Sequence, residues 1–429
     1  MACRSWSQRC YQVRDNGTNA KIGEPRGQIG SFVDSADVNR LPLDPEPAFR
    51  LIVTGGGTGG HTYPALTAVR TLRARLALTG RALDVLWVGT ADGLESRVAA
   101  TEGIRFAQVV TGKVRRSRNP LRLVSPANVR DMCNVPRGVW QARRIVSRFR
   151  PDVVLATGGY VAVPVGLAAW LCRRPLVVHE QTVRLGLANR VLARAATRVA
   201  VSSESTVPLL PGSAGRTAVV TGNPVRPEVL SGQADKAVQT LDLRGFDRAL
   251  PTVYVTGGAQ GSAQINDTVR GILPWMLSHA NVVHQCGAAN LVALRRNAAA
   301  LPEDLAARYH LCGFVGPELP DVLALADVVI SRSGAGTIAE LTALGKAAVL
   351  IPLASSAGGE QAYNARYLHE AGAAVALLDG VSPDSLRDAV GLLLADTGRR
   401  TDVAQRARSH GRPDAADRLV DVVLSVISD

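Results

Sequence analysis

Short apolar segments alternate with longer stretches of helical periodicity from Arg50 onward. The segments that we interpret as strands are 51–53, 85–88, 106–110, 153–156, 176–178 and 198–201 in the first half, and 252–255, 282–284, 310–312, 328–330, 347–351 and 373–378 in the second. This alternation is typical of βαβ units and predicts parallel sheets covered by helices on both faces. We therefore expect an α/β protein with two doubly wound, Rossmann-like domains facing each other across a cleft.

The same pattern predicts the domain boundaries. Residues 1–48 are polar and have no periodicity, so we interpret them as a disordered N-terminal extension. The first domain is expected over 49–223 and the second over 251–410, and the polar, mixed stretch 224–250 connects them. Residues 411–429 form a final helix that can pack back on the first domain.

A glycine-rich turn at 54–64 joins the first strand to a helix predicted over 65–76. Its five glycines allow close approach of a ligand, the helix N-terminus offers free N–H groups, and His61 adds a titratable side chain. Gly55, Gly57 and Gly60 also match the dinucleotide fingerprint G-x-G-x-x-G. That fingerprint requires an acid at the end of the second strand, where this chain has Leu86 to Thr90, so nicotinamide or flavin binding is not favoured. A purely structural turn is the alternative.

Two polar turns in the second half also follow predicted strands. The turn 331–340 opens a helix with small residues, whose N–H groups suit a diphosphate, and Glu340 can accept both hydroxyls of a ribose. In 359–364, Gln361 and Asn364 share one helix face and can contact sugar hydroxyls. Taken singly, each has a structural alternative, namely a carboxylate that offsets the helix dipole and a polar capping turn.

Most of the net charge of +13 comes from one segment. Between Lys113 and Arg150 there are eleven basic residues and one acid, Asp131, and apolar side chains are interleaved with them. This mixture suits an anionic lipid surface, and a solvated basic helix face is the alternative. Nucleic acid is not expected as a partner, because the segment has one Trp and no recognised reading motif. The membrane patch that we predict consists of Arg115, Arg116, Arg118, Leu121, Leu123 and Trp140.

The cysteines and the apolar runs limit the cellular location. The six cysteines are scattered without a C-x-x-C motif or a Cys/His cluster, which argues against disulfides and structural zinc and favours a reducing cytosol. The N-terminus lacks the apolar core of a signal peptide, and the longest apolar run, 161–172, is too short for a membrane span.

Seven motifs, in order between Arg50 and about Ala374, resemble those of the MurG family of UDP-N-acetylglucosamine transferases. They are Gly-Gly-Thr-Gly-Gly-His61-x-x-Pro64-Ala, Thr157-Gly-Gly-Tyr160-Val-x-x-Pro164, His179-Glu-Gln181, Gly222-Asn-Pro-Val-Arg226, Gly257-Gly-x-Gln-Gly261, Arg332-Ser-Gly-Ala335 and Glu360-Gln361-x-x-Asn364. The resemblance implies a GT-B fold and transfer of GlcNAc, with inversion, from UDP-GlcNAc to undecaprenyl-linked lipid I, which yields lipid II for peptidoglycan synthesis, cell shape and cell division. It also implies a peripheral location at the cytoplasmic face of the membrane, on an anionic lipid surface. The chain has no Asp-x-Asp pair, so we expect neither a metal nor another cofactor.

The resemblance also assigns roles to individual residues. Those expected to bind the donor are Thr58, Gly59, Gly60, Thr182, Arg226, Ala259, Val315, Ala335, Gly336, Thr337, Glu340 and Gln361. Tyr160 and Asn364 are placed on the acceptor side. His61 is the candidate general base, because neutral imidazole, with a reference pKa of about 6.5, is available near neutral pH, and Glu180 is the second candidate.

Three positions depart from the family pattern. Thr182 stands where Asn is common, Ala259 where Ser is expected, and Gly336 where a bulkier residue is usual; we expect Ser262 to be able to replace the missing hydroxyl at 259. Two alternative functions follow. One is a related transferase acting on a secondary metabolite, and the other is a UDP-GlcNAc-binding or epimerase-like protein on the same fold.

Overall fold

The computed structural model describes residues 47–112 and 126–428. The extension predicted over residues 1–48 lies almost entirely outside this part of the chain, as do Arg115, Arg116, Arg118, Leu121 and Leu123 of the predicted membrane patch.

The first domain is built on a parallel sheet of seven strands in the order β3-β2-β1-β4-β5-β6-β7. The strands are β1 (Phe49–Thr54), β2 (Leu83–Gly89), β3 (Arg105–Gln108), β4 (Val153–Ala156), β5 (Leu176–Glu180), β6 (Arg198–Val201) and β7 (Ala218–Val220). The helices are α1 (Gly59–Leu78), α2 (Leu94–Thr101), α3 (Pro126–Phe149), α4 (Ala162–Leu171) and α5 (Leu187–Leu192). β1, β4 and β5 consist largely of buried aliphatic residues because helices cover both faces of the sheet.

The second domain repeats this plan with six parallel strands in the order β10-β9-β8-β11-β12-β13. Its strands are β8 (Thr252–Thr256), β9 (Asn281–Gln285), β10 (Tyr309–Cys312), β11 (Val328–Ser331), β12 (Ala347–Leu350) and β13 (Val375–Ala376). Its helices are α7 (Ala263–Leu277), α8 (Leu291–Ala298), α9 (Glu303–Ala306), α10 (Leu319–Leu325), α11 (Ala335–Leu344), α12 (Glu360–Glu370), α13 (Pro383–Ala395) and α14 (Thr397–His410). The predicted pair of parallel α/β sheets is therefore present.

The stretch 224–250 is more than a connection. It contains a short 3-10 helix, Pro227–Ser231, and the helix α6 (Ala234–Thr240). Val229, Ala237 and Leu243 of this stretch are buried in the core of the second domain, so its few apolar residues fix it to that domain.

The last helix, α15 (Ala415–Ser428), follows the second domain but packs on the first. β6 and β7 are joined only by 3-10 turns, so no helix of that connection covers the sheet beside α1. The apolar face of α15 covers this area, and its Leu419, Val420 and Val423 join the core formed by Phe49 and Leu51 of β1. The second domain is thus tied to the first through the last helix as well as through residues 221–226.

Three element boundaries differ from the prediction. α1 begins at Gly59 instead of residue 65, so His61 lies in the first turn of a helix. Pro64 lies inside this helix, where its nitrogen has no hydrogen to donate to an intrahelical bond. The segment 373–378 forms only a two-residue strand, Val375–Ala376. β7 was not predicted, because a three-residue edge strand has too little apolar periodicity to be seen in the sequence.

We expect Leu419→Ala to lower the free energy of unfolding by about 2–4 kcal/mol, because Leu419 is fully buried between α15 and the first sheet. Urea denaturation measures the loss, and hydrogen exchange of peptides covering 49–54 and 153–156 should accelerate. Ser425→Ala, at an exposed position of the same helix, is the control and should change little. Faster exchange confined to residues 252–376 would contradict the packing of α15 on the first sheet.

Candidate functional site

The turns after β1 and β4 meet at the point where the strand order of the first sheet reverses. Ligands of open α/β sheets bind at this position. The two turns touch through their backbones: a Cβ atom at Gly159 would clash with the carbonyl oxygen of Gly56, and one at Gly55 would clash with the side chain of Thr157. The structural explanation therefore accounts for these glycines, which are needed so that the turns can pack together.

Glu95, at the start of α2, holds the glycine turn from the other side. It is fully buried, and its carboxylate accepts hydrogen bonds from the N–H of Gly57 at 3.2 Å, the N–H of Thr90 at 3.0 Å and the hydroxyl of Thr90 at 2.7 Å. Burial acts to raise the pKa of Glu95, but the hydrogen bonds from Thr90 and Gly57 outweigh it and hold the pKa below 4.5. The carboxylate is engaged by protein groups and is not placed to bind a ribose.

The N-terminus of α1 offers free N–H groups beside this turn. Thr58 is the N-cap, and the first intrahelical bonds run from His61 N–H and Thr62 N–H to its carbonyl oxygen. The N–H groups of Gly59 and Gly60 precede these bonds and are available to a ligand. A Cβ at Gly60 would meet only the Thr58 hydroxyl, at 3.6 Å, so this position faces open space. Thr58, Gly59 and Gly60, the predicted donor contacts of the first domain, thus lie at the start of α1 beside free N–H groups.

His61 is oriented by two acceptors on the same ring nitrogen. Its Nδ1 lies 2.9 Å from the carbonyl oxygen of Thr157 and 2.9 Å from Oε1 of Gln181. A carbonyl oxygen can only accept, so Nδ1 carries the proton and the lone pair is on Nε2. No described residue forms a hydrogen bond with Nε2. The ring of Tyr160, in the turn after β4, packs beside Gly57.

The structure does not favour Glu180, the second candidate base. Its side chain is buried, and both carboxylate oxygens are occupied: Oε1 by the N–H and hydroxyl of Thr182 at 3.1 and 2.9 Å, and Oε2 by the N–H of Gly186 at 2.8 Å and the amide of Asn189 at 3.0 Å. A carboxylate that accepts four hydrogen bonds organises the loop after β5. Thr182 also stabilises this loop. Its hydroxyl donates a hydrogen bond either to Glu180 or to the Arg184 carbonyl oxygen at 2.6 Å. Both expectations are corrected here: neither side chain is free to meet a substrate.

α11 provides the corresponding helix N-terminus in the second domain. Its first intrahelical bond runs from Ile338 N–H to the Gly334 carbonyl oxygen, so the N–H groups of Ala335, Gly336 and Thr337 remain available. A Cβ at Gly336 would have no heavy atom within 4 Å, which leaves space beside the backbone.

Arg226 and Glu340, predicted as separate ligand contacts, are paired with each other. The Nε and Nη2 atoms of Arg226 each lie 2.8 Å from Oε1 of Glu340. Burial raises the pKa of Glu340, and the neighbouring guanidinium opposes this shift. The second carboxylate oxygen has no hydrogen-bond partner among the described residues. The pair therefore places one positive charge and one open carboxylate oxygen at α11.

Several polar groups around α11 already form hydrogen bonds within the protein. The backbone N–H of Val315 donates to Gln285 Oε1 at 2.8 Å, which leaves only its carbonyl group for a ligand. Oε1 of Gln361 accepts the N–H of Leu353 at 3.0 Å. Ser262 caps α7 by accepting the Ile265 N–H at 3.3 Å and also accepts Arg332 at 2.6 Å. Its oxygen accepts both bonds and its O–H proton is left as a donor, so the expected replacement of the hydroxyl missing at Ala259, which is exposed in the neighbouring turn, stays a prediction.

The two domains contact each other through the loop after β5. Nη1 of Arg184 donates to the Gly358 carbonyl oxygen at 3.1 Å, and the guanidinium lies 4.6 Å from the centre of the Tyr363 ring. Asn364 is buried and bridges the same gap: its amide donates to the Ser333 carbonyl oxygen at 3.2 Å, and its oxygen accepts the Val183 N–H at 3.4 Å. Asn364, predicted on the acceptor side, thus contributes to domain contact in this structure.

A cavity of about 290 Å³ lies between the domains on the other side of α11. Its lining includes Gln181, Asn223, Ile338, Thr342 and His410. Positions 335, 338, 339 and 342 share one face of a helix, whereas Thr337 and Glu340 belong to another, so this cavity does not include Glu340.

An exposed aromatic surface lies on α3 and α4 of the first domain. Trp140 is 55% exposed with the Arg144 guanidinium 3.7 Å above its ring, and Trp170 and Leu171 at the end of α4 are 58% and 48% exposed. α3 and α4 pack along each other. Among the described residues, no helix is both long and apolar enough to span a bilayer, and no group of three or more His, Cys, Asp or Glu side chains is arranged to hold a metal ion.

Comparison with known proteins matches both halves of the chain to one family. The glycosyltransferase family 28 N-terminal domain matches residues 51–201, and the family 28 C-terminal domain matches residues 252–419. A relative from Roseiflexus sp. is 35% identical over 442 residues, covering 91% of this chain and 98% of its own length. One from Ralstonia nicotianae is 36% identical over 379 residues, covering 87% and 96%. Both are named UDP-N-acetylglucosamine–N-acetylmuramyl-(pentapeptide) pyrophosphoryl-undecaprenol N-acetylglucosamine transferase.

Solved structures give the same fold. MurG of Acinetobacter baumannii has a TM-score of 0.66 at 28% identity, covering 88% of this chain and 100% of that protein. A UDP-GlcNAc 2-epimerase from Neisseria meningitidis, bound to UDP-GlcNAc, has a TM-score of 0.60 at 14% identity, covering 88% and 99%. At this low identity the second match shows only a shared fold. The predicted GT-B fold class is confirmed.

We expect Glu95→Gln to lower the free energy of unfolding by about 1–3 kcal/mol at pH 7, because the amide removes the negative charge and brings N–H donors toward Gly57 and Thr90. The folded-state pKa of Glu95 is depressed, so its stabilising contribution is present above about pH 4.5 and is lost as the pH falls through the folded-state pKa. Urea denaturation at several pH values measures the difference. Asp92→Asn, an exposed acid in the same turn, is the control. Equal stability of the two variants at pH 7 would contradict this role of Glu95.

Proposed function

As the chain belongs to the MurG family of N-acetylglucosamine transferases, we propose that the cleft between its two domains performs the reaction of that family. The protein transfers GlcNAc from UDP-GlcNAc to lipid I, the undecaprenyl-diphospho-MurNAc-pentapeptide, and forms lipid II for peptidoglycan synthesis. The observation that carries this assignment is the 35% identity over 98% of the length of a relative with that name.

His61 is the general base of the proposed mechanism. With inversion, an acceptor hydroxyl attacks the anomeric carbon from the side opposite UDP, and a base must take its proton. Nε2 of His61 has a lone pair and no protein partner among the described residues, while Nδ1 is held by Thr157 and Gln181. Glu180 is not used, because its four hydrogen bonds would have to break before it could accept a proton.

The departing UDP is stabilised by the helix N-termini and Arg226. Negative charge develops on the diphosphate as the glycosidic bond breaks, and preorganised N–H donors favour that charge. The free N–H groups of Gly59 and Gly60 on α1 and those at the start of α11 supply such donors. Arg226, held against Glu340, adds positive charge to the second group. These groups perform the stabilisation without a metal ion.

The remaining donor contacts follow from the groups that the protein leaves open. The second carboxylate oxygen of Glu340 accepts a ribose hydroxyl, and the carbonyl group of Val315 accepts the uracil N–H. The free amide nitrogen of Gln361 donates to a GlcNAc hydroxyl. Ala259 and Gly336 contribute backbone and space instead of side-chain groups. Tyr160, at the edge of the glycine turn, lies on the acceptor side.

The protein acts as a peripheral protein on the cytoplasmic face of the membrane, where its lipid substrate lies. In support, Trp140, Trp170 and Leu171 are exposed on α3 and α4, and Arg144 accompanies Trp140. Aromatic rings with adjacent arginines suit the interface of an anionic bilayer. Arg115, Arg116 and Arg118 extend the positive charge in the sequence immediately before α3.

The two alternatives have no specific observation in their favour. The epimerases share only the fold at 14% to 17% identity. The relatives that cover almost the whole chain are transferases named for the lipid-linked acceptor, not for a secondary metabolite.

Release of UDP in the presence of purified lipid I tests the function. We expect the wild-type protein to turn over, and His61→Ala to lower kcat by about 10²- to 10⁴-fold because the base is lost, with KM for UDP-GlcNAc changed only a few-fold. His279→Ala, an exposed histidine of the second domain, is the matched control and should keep full activity. Binding of UDP-GlcNAc without turnover of lipid I would remove the lipid II assignment. Full activity of His61→Ala would remove His61 as the base.

Vesicle sedimentation tests the membrane surface. We expect the double variant Trp140→Ser, Trp170→Ser to bind vesicles of anionic lipid roughly tenfold more weakly, because the exposed rings no longer enter the interface. Turnover of lipid I in detergent should be retained. Val292→Ser with Leu392→Ser, at exposed positions of the second domain, is the control. Replacing Arg115, Arg116 and Arg118 by Glu should also weaken binding, and unchanged binding in both variants would contradict the proposed surface.

A further inference from the structure

A continuous chain of hydrogen bonds leads from His61 into the protein interior. Nδ1 of His61 lies 2.9 Å from Gln181 Oε1, the Gln181 amide nitrogen lies 3.0 Å from His179 Nδ1, and His179 Nε2 lies 3.0 Å from the Gly222 carbonyl oxygen. Gln181 and His179 are both buried in β5 and the loop after it. Gly222 belongs to residues 221–226, through which the chain leaves the first domain.

Three backbone carbonyl groups fix the protons along this chain. Since the Gly222 oxygen only accepts, His179 carries its proton on Nε2, and burial lowers the pKa of His179 to about 4, so its Nδ1 is an unprotonated acceptor at neutral pH. The Gln181 amide then donates to His179 Nδ1 and, at 2.9 Å, to the His179 carbonyl oxygen. Its oxygen therefore faces His61, whose Nδ1 proton is shared with the Thr157 carbonyl oxygen.

The reverse arrangement is excluded by the same carbonyl groups. If the Gln181 amide were flipped, its oxygen would face the His179 carbonyl oxygen and its N–H groups would face the Nδ1 proton of His61. If His61 instead carried its proton on Nε2, its Nδ1 lone pair would face the Thr157 carbonyl oxygen. Each alternative places two hydrogen-bond acceptors, or two donors, against each other inside a buried network. Such contacts cost much free energy there.

We propose that Gln181 and His179 are positioning residues that hold His61 as the Nδ1–H tautomer through a chain of neutral hydrogen bonds, leaving Nε2 as the basic nitrogen. The inference rests on the proposed role of His61 as general base. A histidine base is commonly oriented by a carboxylate, which also stabilises the protonated ring. Here a neutral amide takes that position, so the ring is oriented without a negative charge that would retain the proton.

In the part of the chain that the structure describes, no carboxylate forms a hydrogen bond with the His61 ring to replace that missing charge. Glu95 of α2 is turned to Gly57 and Thr90, and Glu180 of β5 to Thr182, Gly186 and Asn189. The other titratable groups on the elements packed around the ring are Tyr63 of α1, Tyr160 after β4 and His179. The cavity that Gln181 also lines is bordered by Glu204, Tyr367, His410 and Arg412, and no hydrogen bond joins Glu204 to Gln181 or His61 among the described residues.

The variant Gln181→Glu tests the neutral character of the chain. It keeps the size of the side chain but places a carboxylate at Nδ1 of His61, which favours the protonated ring. We expect the fall of kcat/KM at low pH, the acid limb of the pH profile, to occur about 1–2 pH units higher than in the wild type. Activity should then be roughly tenfold or more lower at pH 6 and should recover at high pH. Gln181→Met, which is neutral and of similar length, should lower kcat without moving the limb. An unshifted limb in Gln181→Glu would overturn the proposal.

The tautomer itself is measured by nitrogen NMR of histidine-labelled protein, with the His61 signals identified by their absence in His61→Asn. We expect the wild-type ring at pH 8 to carry its proton on Nδ1, and His179→Phe to give a mixture of tautomers together with lower kcat. If His179→Phe does not fold, the pH profile of Gln181→Glu still tests the proposal. A wild-type ring protonated on Nε2 overturns the positioning chain. This NMR signal does not depend on turnover, so it tests the positioning chain independently of the proposed function. The proposed function is refuted by different results, namely no turnover of lipid I or full activity of His61→Ala.

Discussion

The contact between the turns after β1 and β4 sets the position of His61, the proposed base. A Cβ atom at Gly159 would meet the Gly56 carbonyl oxygen and one at Gly55 would meet the Thr157 side chain, while one at Gly56 would meet Glu95, which holds the outer side of the first turn. With the turns in this position, α1 starts at Gly59, and His61 in its first turn reaches the Thr157 carbonyl oxygen. A bulkier residue in either turn would separate β1 from β4 at the site, and the histidine would lose one of the two oxygens that hold its Nδ1 proton. The glycines thus act mainly through packing, and the free N–H groups of Gly59 and Gly60, which are proposed to bind the donor, lie just beyond them.

The second domain also presents free N–H groups at the start of a helix, but beside a different set of side chains. β11 and the turn that follows it lead into α11, whose free N–H groups lie next to the Arg226–Glu340 pair. Arg226 comes from the segment that connects the domains, as does Gly222, where the hydrogen-bond chain from His61 ends. The proposed base positioning and the proposed donor binding therefore both involve residues 222–226. α15 ties the two domains together a second time by completing the core of the first sheet.

The sequence was sufficient for the architecture because the buried strands are uninterrupted apolar runs, and each glycine-rich turn marks the end of one. His61 and the helix N-termini lie within single motifs, so the sequence also locates them at the ends of strands, while their roles stay predictions. What it could not provide are contacts between side chains that are distant in sequence. Glu95 lies 38 residues beyond Gly57 in the sequence, and nothing local indicates that its carboxylate accepts the Gly57 N–H. Glu180 was considered a base because the motif His-Glu-Gln does not reveal that Gly186 and Asn189 fold over its carboxylate. The pairing of Arg226 with Glu340 across 114 residues has no local signal at all.

During transfer, Nε2 of His61 is proposed to accept the proton of the lipid I hydroxyl. The single-turnover rate of GlcNAc transfer to lipid I at saturating UDP-GlcNAc, followed as a function of pH in wild-type protein and in His61→Gln, tests this role directly. We expect a rate that rises with pH through one ionisation in the wild type, and a slower rate without that ionisation in the variant. Persistence of the same ionisation in His61→Gln would show that another group takes the proton and would contradict the role of His61.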